Sequence, residues 1–83
     1  MTLRLDESDK ASVAELGERA RQALRALATR PELEAFQELL DLSTVVGESL
    51  GESARLLASR GSWSQVAEAT GTTKQAAWSR WSR

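Results

Sequence analysis

The chain has 83 residues, of which 41% are hydrophobic, and its formal net charge is −1; this size fits one small domain and excludes a multidomain enzyme. Its longest apolar runs are three residues, such as Leu56–Ala58, whereas a bilayer span needs about 20, so we expect no membrane span. The chain contains no cysteine, histidine or tyrosine, and residues 1–8 lack the apolar core of a secretion signal, which together favour a cytoplasmic protein without disulfides, a thiolate metal site or histidine-based catalysis.

The first predicted element is an amphipathic helix over residues 9–29. Its apolar residues recur at three- and four-residue intervals, the spacing that lays one apolar stripe along a helix. They are Val13, Leu16, Ala20, Leu24 and Leu27. Ser8 or Asp9 is the predicted N-cap. Pro31 ends this helix and can open the next, because proline tolerates a first helical turn but disfavours helical geometry in the residue before it.

The second predicted element is one long helix over residues 32–59. Its apolar positions again follow the helical interval: Phe36, Leu39 or Leu40, Val46, Leu50, Ala54 and Leu57. Its middle is weaker, because β-branched residues precede Gly47 and each interior glycine costs up to about 1 kcal/mol relative to alanine. The helix therefore either breaks near Gly47 or uses Ser43, Gly47 and Gly51 as a shallow face that another helix approaches closely.

Two short helices are predicted after Gly61. Ser62 lies three residues before Gln65, which is the spacing of a capping box, so a helix begins there and Gly71 closes it. Its apolar side is formed by Val66, Ala67 and Ala69. Thr72 lies three residues before Gln75, so a second capping box opens a second helix over residues 73–82.

Residues 62–81, SWSQVAEATGTTKQAAWSRW, place small Ala67 and Ala77 where two such helices cross. This stretch resembles the helix-turn-helix of short actinobacterial DNA-binding proteins of the transcription-regulator or small nucleoid-associated type. It departs from them at Thr70, Thr72 and Arg80, where those proteins mostly carry aliphatic residues. The resemblance implies that residues 73–82 form a recognition helix that enters the DNA major groove.

The predicted fold is therefore all-α, with an N-terminal helix and a long helix leading into a C-terminal helix-turn-helix. Within a single domain over residues 1–83, we expect a helical dimerisation layer over 9–45 and a tri-helical DNA-binding headpiece over 46–83, with the helix-turn-helix at 62–82. A homodimer is expected because one copy of the motif reads only a few base pairs.

A helical wheel divides the predicted recognition helix into two faces. Thr73, Ala77 and Trp81 face a core that they share with the helix before them and with Leu50, Ala54 and Leu57. Gln75 can pair bidentately with adenine and Lys74 can reach guanine, although Gln75 could instead serve in the cap. The predicted DNA-binding residues are Thr72, Thr73, Lys74, Gln75, Trp78, Ser79, Arg80 and Arg83. No cofactor, metal or small-molecule site is expected.

The three tryptophans are expected to lie in different surroundings. Trp63 and Trp81 are expected in the core, because large aromatic side chains mainly contribute buried area. Trp78 faces away from the predicted core, so it either lies along the DNA backbone with its N–H on a phosphate or fills a dimer contact.

Charge is segregated along the chain. Residues 1–18 carry two basic and five acidic residues, whereas residues 19–30 carry four arginines and no acid. Residues 31–60 carry two basic and six acidic residues, and residues 61–83 carry three basic residues and one acidic residue. The arginines of residues 19–30 either form a patch for a polyanion or pair at the surface with the acids of residues 32–38.

Two other functions are also compatible with the sequence. The start of the chain, MTLRLDE, resembles ribbon-helix-helix antitoxins, in which Thr2 and Arg4 would face the major groove. The acidic N-terminal helices also suit a protein-binding adaptor or an anti-repressor that keeps a helix-turn-helix as a scaffold. An enzyme is not expected, because the sequence has no glycine-rich phosphate loop, metal-ligand cluster or nucleophile with a base.

Overall fold

The computed structural model describes residues 11–82, and this part of the chain forms four helices and no strand. They are α1 (Val13–Ala28), α2 (Leu33–Arg60), α3 (Trp63–Thr70) and α4 (Lys74–Trp81). The prediction of an all-α fold is confirmed. The chain divides into two compact units, one ending at Asp41 and one beginning at Leu42. None of the helices in the described residues combines the length and apolar content that crossing a membrane requires.

Helix α1 begins with a capping box at Ser12. The Ser12 hydroxyl accepts the Glu15 N–H at 3.0 Å, and the Glu15 carboxylate accepts the Ser12 N–H at 2.9 Å. This reciprocal pair satisfies two backbone donors that a helix start leaves open. The predicted caps, Ser8 and Asp9, lie outside the described residues, and the prediction that one of them caps this helix is wrong.

The corner between α1 and α2 is held by local polar contacts. The Thr29 hydroxyl donates to the Ala26 carbonyl at 3.0 Å, closing α1. Arg30 forms a two-bond ion pair with Glu32, with N···O distances of 3.0 and 2.7 Å. Hydrogen bonding to the Arg30 guanidinium is the main reason that the pKa of the Glu32 carboxyl lies below its ordinary value. As Pro31 predicts, one helix ends before the proline and the next begins after it.

Helix α2 is continuous through its glycines, so a break near Gly47 does not occur. Gly51 is buried, and a Cβ placed there would lie 3.6 Å from Cδ1 of Trp81 and 3.1 Å from Nη1 of Arg55. A Cβ at Gly47 would meet no atom within 4 Å. Close approach of another helix therefore occurs at Gly51 and not at Gly47.

The core of the C-terminal unit is built from small side chains. Its buried members are Ala54, Val66, Ala67 and Ala77, against which Ala58, Trp63 and Trp81 pack. The expectation that Trp63 and Trp81 contribute to the core is confirmed, and both are half-buried. Leu50 and Leu57, which were expected in this core, are 53% and 41% exposed. Alanines turn inward in their place because α2 approaches the short helices at its smallest side chains.

The short helices are capped differently from the sequence prediction. The Ser62 hydroxyl caps α3, but it accepts the Ser64 N–H at 3.2 Å, so the predicted box with Gln65 does not form. Thr73, not Thr72, caps α4, and its hydroxyl accepts the Ala76 N–H at 3.1 Å. Thr73 is therefore exposed at the cap instead of lying in the core. The Thr72 hydroxyl lies 3.2 Å from that of Thr70 and bridges the turn.

Ala77 is 1% exposed, so the close packing of the unit predicts a strong size limit at this position. Ala77→Leu should lower the free energy of unfolding by about 1–3 kcal/mol, because added methylenes in a filled core force rearrangement. Ala76→Leu is the matched control, because Ala76 is exposed on the same helix, and it should change stability by less than about 0.5 kcal/mol. Urea unfolding followed by circular dichroism measures both, and equal effects would contradict this packing.

Gly71 closes α3 in the left-handed region with φ of 71°, and a Cβ there would meet no atom within 4 Å. Gly71→Ala should therefore destabilise the protein through backbone conformation alone, by about 1–2 kcal/mol. Gly71→Asn should recover part of this loss, because asparagine tolerates the left-handed region better than alanine. Thermal unfolding of the two variants tests the expectation, and a fully stable Gly71→Ala protein would contradict it.

Candidate nucleic-acid interface

An open groove lies at the start of α4. It has a volume of about 540 Å³ and is lined by Trp63, Thr73, Lys74, Gln75 and Trp78. Two indole rings, a hydroxyl, an ammonium and an amide therefore meet on one surface, and no carboxylate of the described residues lines it. Such a surface combines flat apolar area with hydrogen-bonding groups and one positive charge, which is the chemistry of contacts with DNA bases and phosphates.

The cap of α4 brings these side chains together. Because the Thr73 hydroxyl accepts the Ala76 N–H, the helix starts at Lys74, and Lys74 and Gln75 occupy its first turn. Neither side chain makes an ion pair or hydrogen bond within residues 11–82, so both are available to a ligand. Gln75 takes no part in the cap of α4, so the capping role that the sequence offered as an alternative for it does not occur.

Trp78 lies one turn after Lys74 and is 53% exposed. The burial of Ala77 turns the neighbouring Trp78 outward, since successive helical residues are separated by about 100°. The prediction that Trp78 faces away from the core is thus confirmed. Trp63 lines the same groove, although the sequence favoured a core role for it over a binding role. The sequence does contain a signal for this position in the groove. Trp63 directly follows the Ser62 cap, and the first residue of a helix lies at an exposed helix end.

The far end of α4 is attached to α2 by Arg55. Its Nη1 donates to the Trp81 carbonyl at 3.2 Å, a group that the end of α4 leaves without a helical partner. The buried Gly51 gives the Trp81 ring room beside this bond. Helix α4 is thus held at its start by its turn and at its end by α2, which fixes the direction of its outward side chains.

Arg80 lies apart from the groove at the start of α4. Its guanidinium carbon is 4.9 Å from the centroid of the Trp81 ring, within the range of a cation–π contact. It lines a different depression, together with Glu48 and Arg55 of α2. The nearby carboxylate reduces the positive potential that Arg80 offers to a polyanion.

The predicted DNA-binding residues thus fall into distinct places. Thr73, Lys74, Gln75 and Trp78 share the groove, and Ser79 is exposed on α4. Thr72 lies in the turn between α3 and α4, whereas Arg80 lines the other depression. Arg83 lies outside the described residues, as do Thr2 and Arg4 of the ribbon-helix-helix alternative.

No metal-binding cluster accompanies the groove. Within residues 11–82, no group of three or more aspartates or glutamates is arranged to hold a metal ion. Comparison with known proteins found no matching family model, no matching curated protein and no matching solved structure. The resemblance of residues 62–81 to helix-turn-helix proteins stays a prediction, and the groove is the feature of the described residues that bears on function.

The different burial of the two tryptophans of α4 predicts different effects on stability. Trp81→Ala should lower the free energy of unfolding by about 2 kcal/mol, because its ring packs against the core. Trp78→Ala should lower it by clearly less, about 1 kcal/mol or below, because about half of that side chain contacts solvent and it is not part of the core. Urea unfolding followed by circular dichroism measures both, and a Trp78→Ala variant as unstable as Trp81→Ala would show that Trp78 is structural.

Proposed function

We propose that the protein binds double-stranded DNA by placing α4 in the major groove, as a sequence-preferring transcription regulator or nucleoid-associated protein. The observation that carries this proposal is the groove at the start of α4, where Lys74, Gln75 and Trp78 are exposed together. An α-helix fits the major groove, and residues in its first turns reach the base edges.

Each side chain of the groove has a contact that suits DNA. The Gln75 amide offers a donor and an acceptor, which match N7 and N6 of adenine, and the Lys74 ammonium can donate to guanine or to a phosphate. The exposed indole of Trp78 can lie against the sugar–phosphate backbone and donate its N–H to a phosphate. We therefore assign base reading to Gln75 and positioning on the backbone to Trp78.

The short helices also support this geometry. Helices α3 and α4 are joined by a three-residue turn over 71–73, and small Ala67 and Ala77 lie in their shared core. This arrangement is the one expected for a helix-turn-helix, in which the first helix supports the second in the groove. Within this framework α4 is the recognition helix.

The electrostatic contribution to this binding is small. Lys74 and Arg80 are the basic side chains of α4, and Glu48 lines the same depression as Arg80. With about two phosphate contacts per protomer, the logarithm of the binding constant should fall against the logarithm of salt concentration with a slope of about −2 for each protomer bound. Affinity per protomer is accordingly modest, which favours a dimer on DNA.

Anisotropy of a labelled random-sequence duplex pool, titrated with the full chain at about 50 and 200 mM salt, tests the proposal. Binding should weaken with salt, and sequencing of the retained duplexes should reveal a preferred site. On that site Gln75→Ala should lose about tenfold to hundredfold in affinity, as expected for a bidentate base contact, but little on the random pool.

Lys74→Ala should weaken binding to both the selected site and the random pool, because a phosphate contact carries no sequence information. Gln37→Ala is the matched control, because Gln37 is an exposed glutamine in the N-terminal unit, and it should leave affinity unchanged. Absence of binding at 50 mM salt, or equal effects of Gln75→Ala and Gln37→Ala, would contradict the proposal.

A further inference from the structure

We infer that the groove at the start of α4 recognises a thymine by its 5-methyl group, which contacts the indole rings of Trp63 and Trp78. These two rings are called the indole wall below. The inference rests on the proposed function and adds to it in two ways. It gives Trp63 a role in binding, and it names a base that the groove selects beside the adenine read by Gln75.

The indole wall is a preformed apolar surface. Trp63 begins α3 and Trp78 lies on α4, and both rings line the same groove. Trp63 is half-buried because it also packs against the core, whereas Trp78 is 53% exposed. A ring that core packing already holds in place loses little conformational freedom when a ligand contacts it. The wall can therefore discriminate between small differences in the shape and polarity of a base edge.

The major groove offers one kind of apolar group to such a wall. Each base edge presents hydrogen-bond donors and acceptors there, and thymine adds the methyl group on its C5 atom. Covering a methyl group with an indole ring is favourable, whereas covering a donor or acceptor without a hydrogen bond costs free energy. Cytosine has a hydrogen atom at C5 and an amino group beside it. The indole wall therefore selects thymine over cytosine.

The spacing along α4 places this thymine close to the adenine that Gln75 reads. Gln75 and Trp78 are three residues apart, which is about 4.5 Å along a helix axis, and successive base pairs are about 3.4 Å apart. For a helix that lies along the groove, the two side chains address the same base pair or adjacent ones. The methyl group of a thymine also lies near the phosphate on the 5′ side of its nucleotide, so Trp78 can contact both.

Two indole rings can also stack on a base that has left the duplex, as in proteins that bind single strands. The composition of this groove favours an intact duplex. Gln75 lines it together with the indole wall, and its amide matches the edge that adenine presents in the major groove while its base pair stays formed. Contact with a methyl group needs no extrusion of the base, which would cost pairing and stacking energy.

Replacement of single atoms in the DNA tests the inference with the wild-type protein. In the site selected from the duplex pool, each thymine is replaced in turn by deoxyuridine, which lacks the methyl group and keeps the hydrogen bonds of the pair. One such replacement should weaken binding about fourfold, as expected when one methyl-sized group stays uncovered. It should lie within about one base pair of the adenine read by Gln75. That adenine is the one whose replacement by 7-deazaadenine weakens the wild type but not Gln75→Ala.

A second replacement returns the methyl group on another base. Exchange of the identified T·A pair for C·G should weaken binding. The same duplex with 5-methylcytosine at this position should then bind about fourfold more tightly than the duplex with cytosine. This arm separates recognition of the methyl group from recognition of the other groups of the T·A pair.

The protein side is tested by Trp78→Ala. The weakening caused by deoxyuridine should fall below about twofold in this variant, because half of the indole wall is gone. A ring that only positions the backbone would leave that ratio unchanged, even if overall affinity falls. Leu56→Ala is the matched control, because Leu56 is 59% exposed in the same unit and lies outside the groove. It should keep the fourfold ratio, and circular dichroism should show that both variants stay helical.

Three results overturn the inference and leave the proposed function standing. They are duplex binding that no deoxyuridine replacement weakens, a deoxyuridine effect that Trp78→Ala retains in full, and a methyl group on cytosine that gains nothing. Tighter binding to the separated strands than to their duplex overturns it in favour of stacking on unpaired bases. Absence of duplex binding at low salt is a different failure, because it contradicts the proposed function and the inference with it.

Discussion

The close crossing of α3 and α4 at small side chains is the contact on which the C-terminal unit depends. Ala67 and Ala77 end at Cβ, so the two helices can lie near each other across a turn of three residues. The same contact divides α4 into an inner side and an outer side. Lys74, Gln75 and Trp78 are exposed because Ala77 is buried. The burial of Ala77 therefore both packs α4 against α3 and determines which side chains of α4 form the candidate interface.

The second constraint acts at the other end of α4. The buried Gly51 makes room for the Trp81 ring, and Arg55 binds the carbonyl that ends the helix. A short helix of eight residues has little stability by itself, so contacts at both ends are needed to give its outer side chains a fixed direction. Recognition of any shaped ligand depends on that direction, since a mobile helix would lose entropy on binding.

The positions of the helices could be predicted from the sequence because they follow from periodicity and from Pro31, Gly61 and Gly71. The caps are harder to predict. Several polar residues precede α1, so the sequence pattern does not single out the S-x-x-E pair of Ser12 and Glu15 that forms the capping box. Thr72 and Thr73 have the same side chain, and it is Thr73 that caps α4. Leu50 and Leu57 were expected inside because they are large, yet proximity of helices selects small residues. Whether an apolar residue of α2 is buried depends on which part of α2 the short helices contact. The periodic pattern of α2 alone does not give that information.

All three tryptophans lie within residues 63–81. Tryptophan fluorescence therefore reports on the C-terminal unit. Indole emission responds to the surroundings of Trp63, Trp78 and Trp81 in the C-terminal unit, whereas the described part of the N-terminal unit contributes only the weak absorbance of Phe36. Far-ultraviolet circular dichroism records the helices of both units. A denaturation curve followed by emission therefore describes the C-terminal unit, and its separation from the dichroism curve measures how far the two units unfold independently.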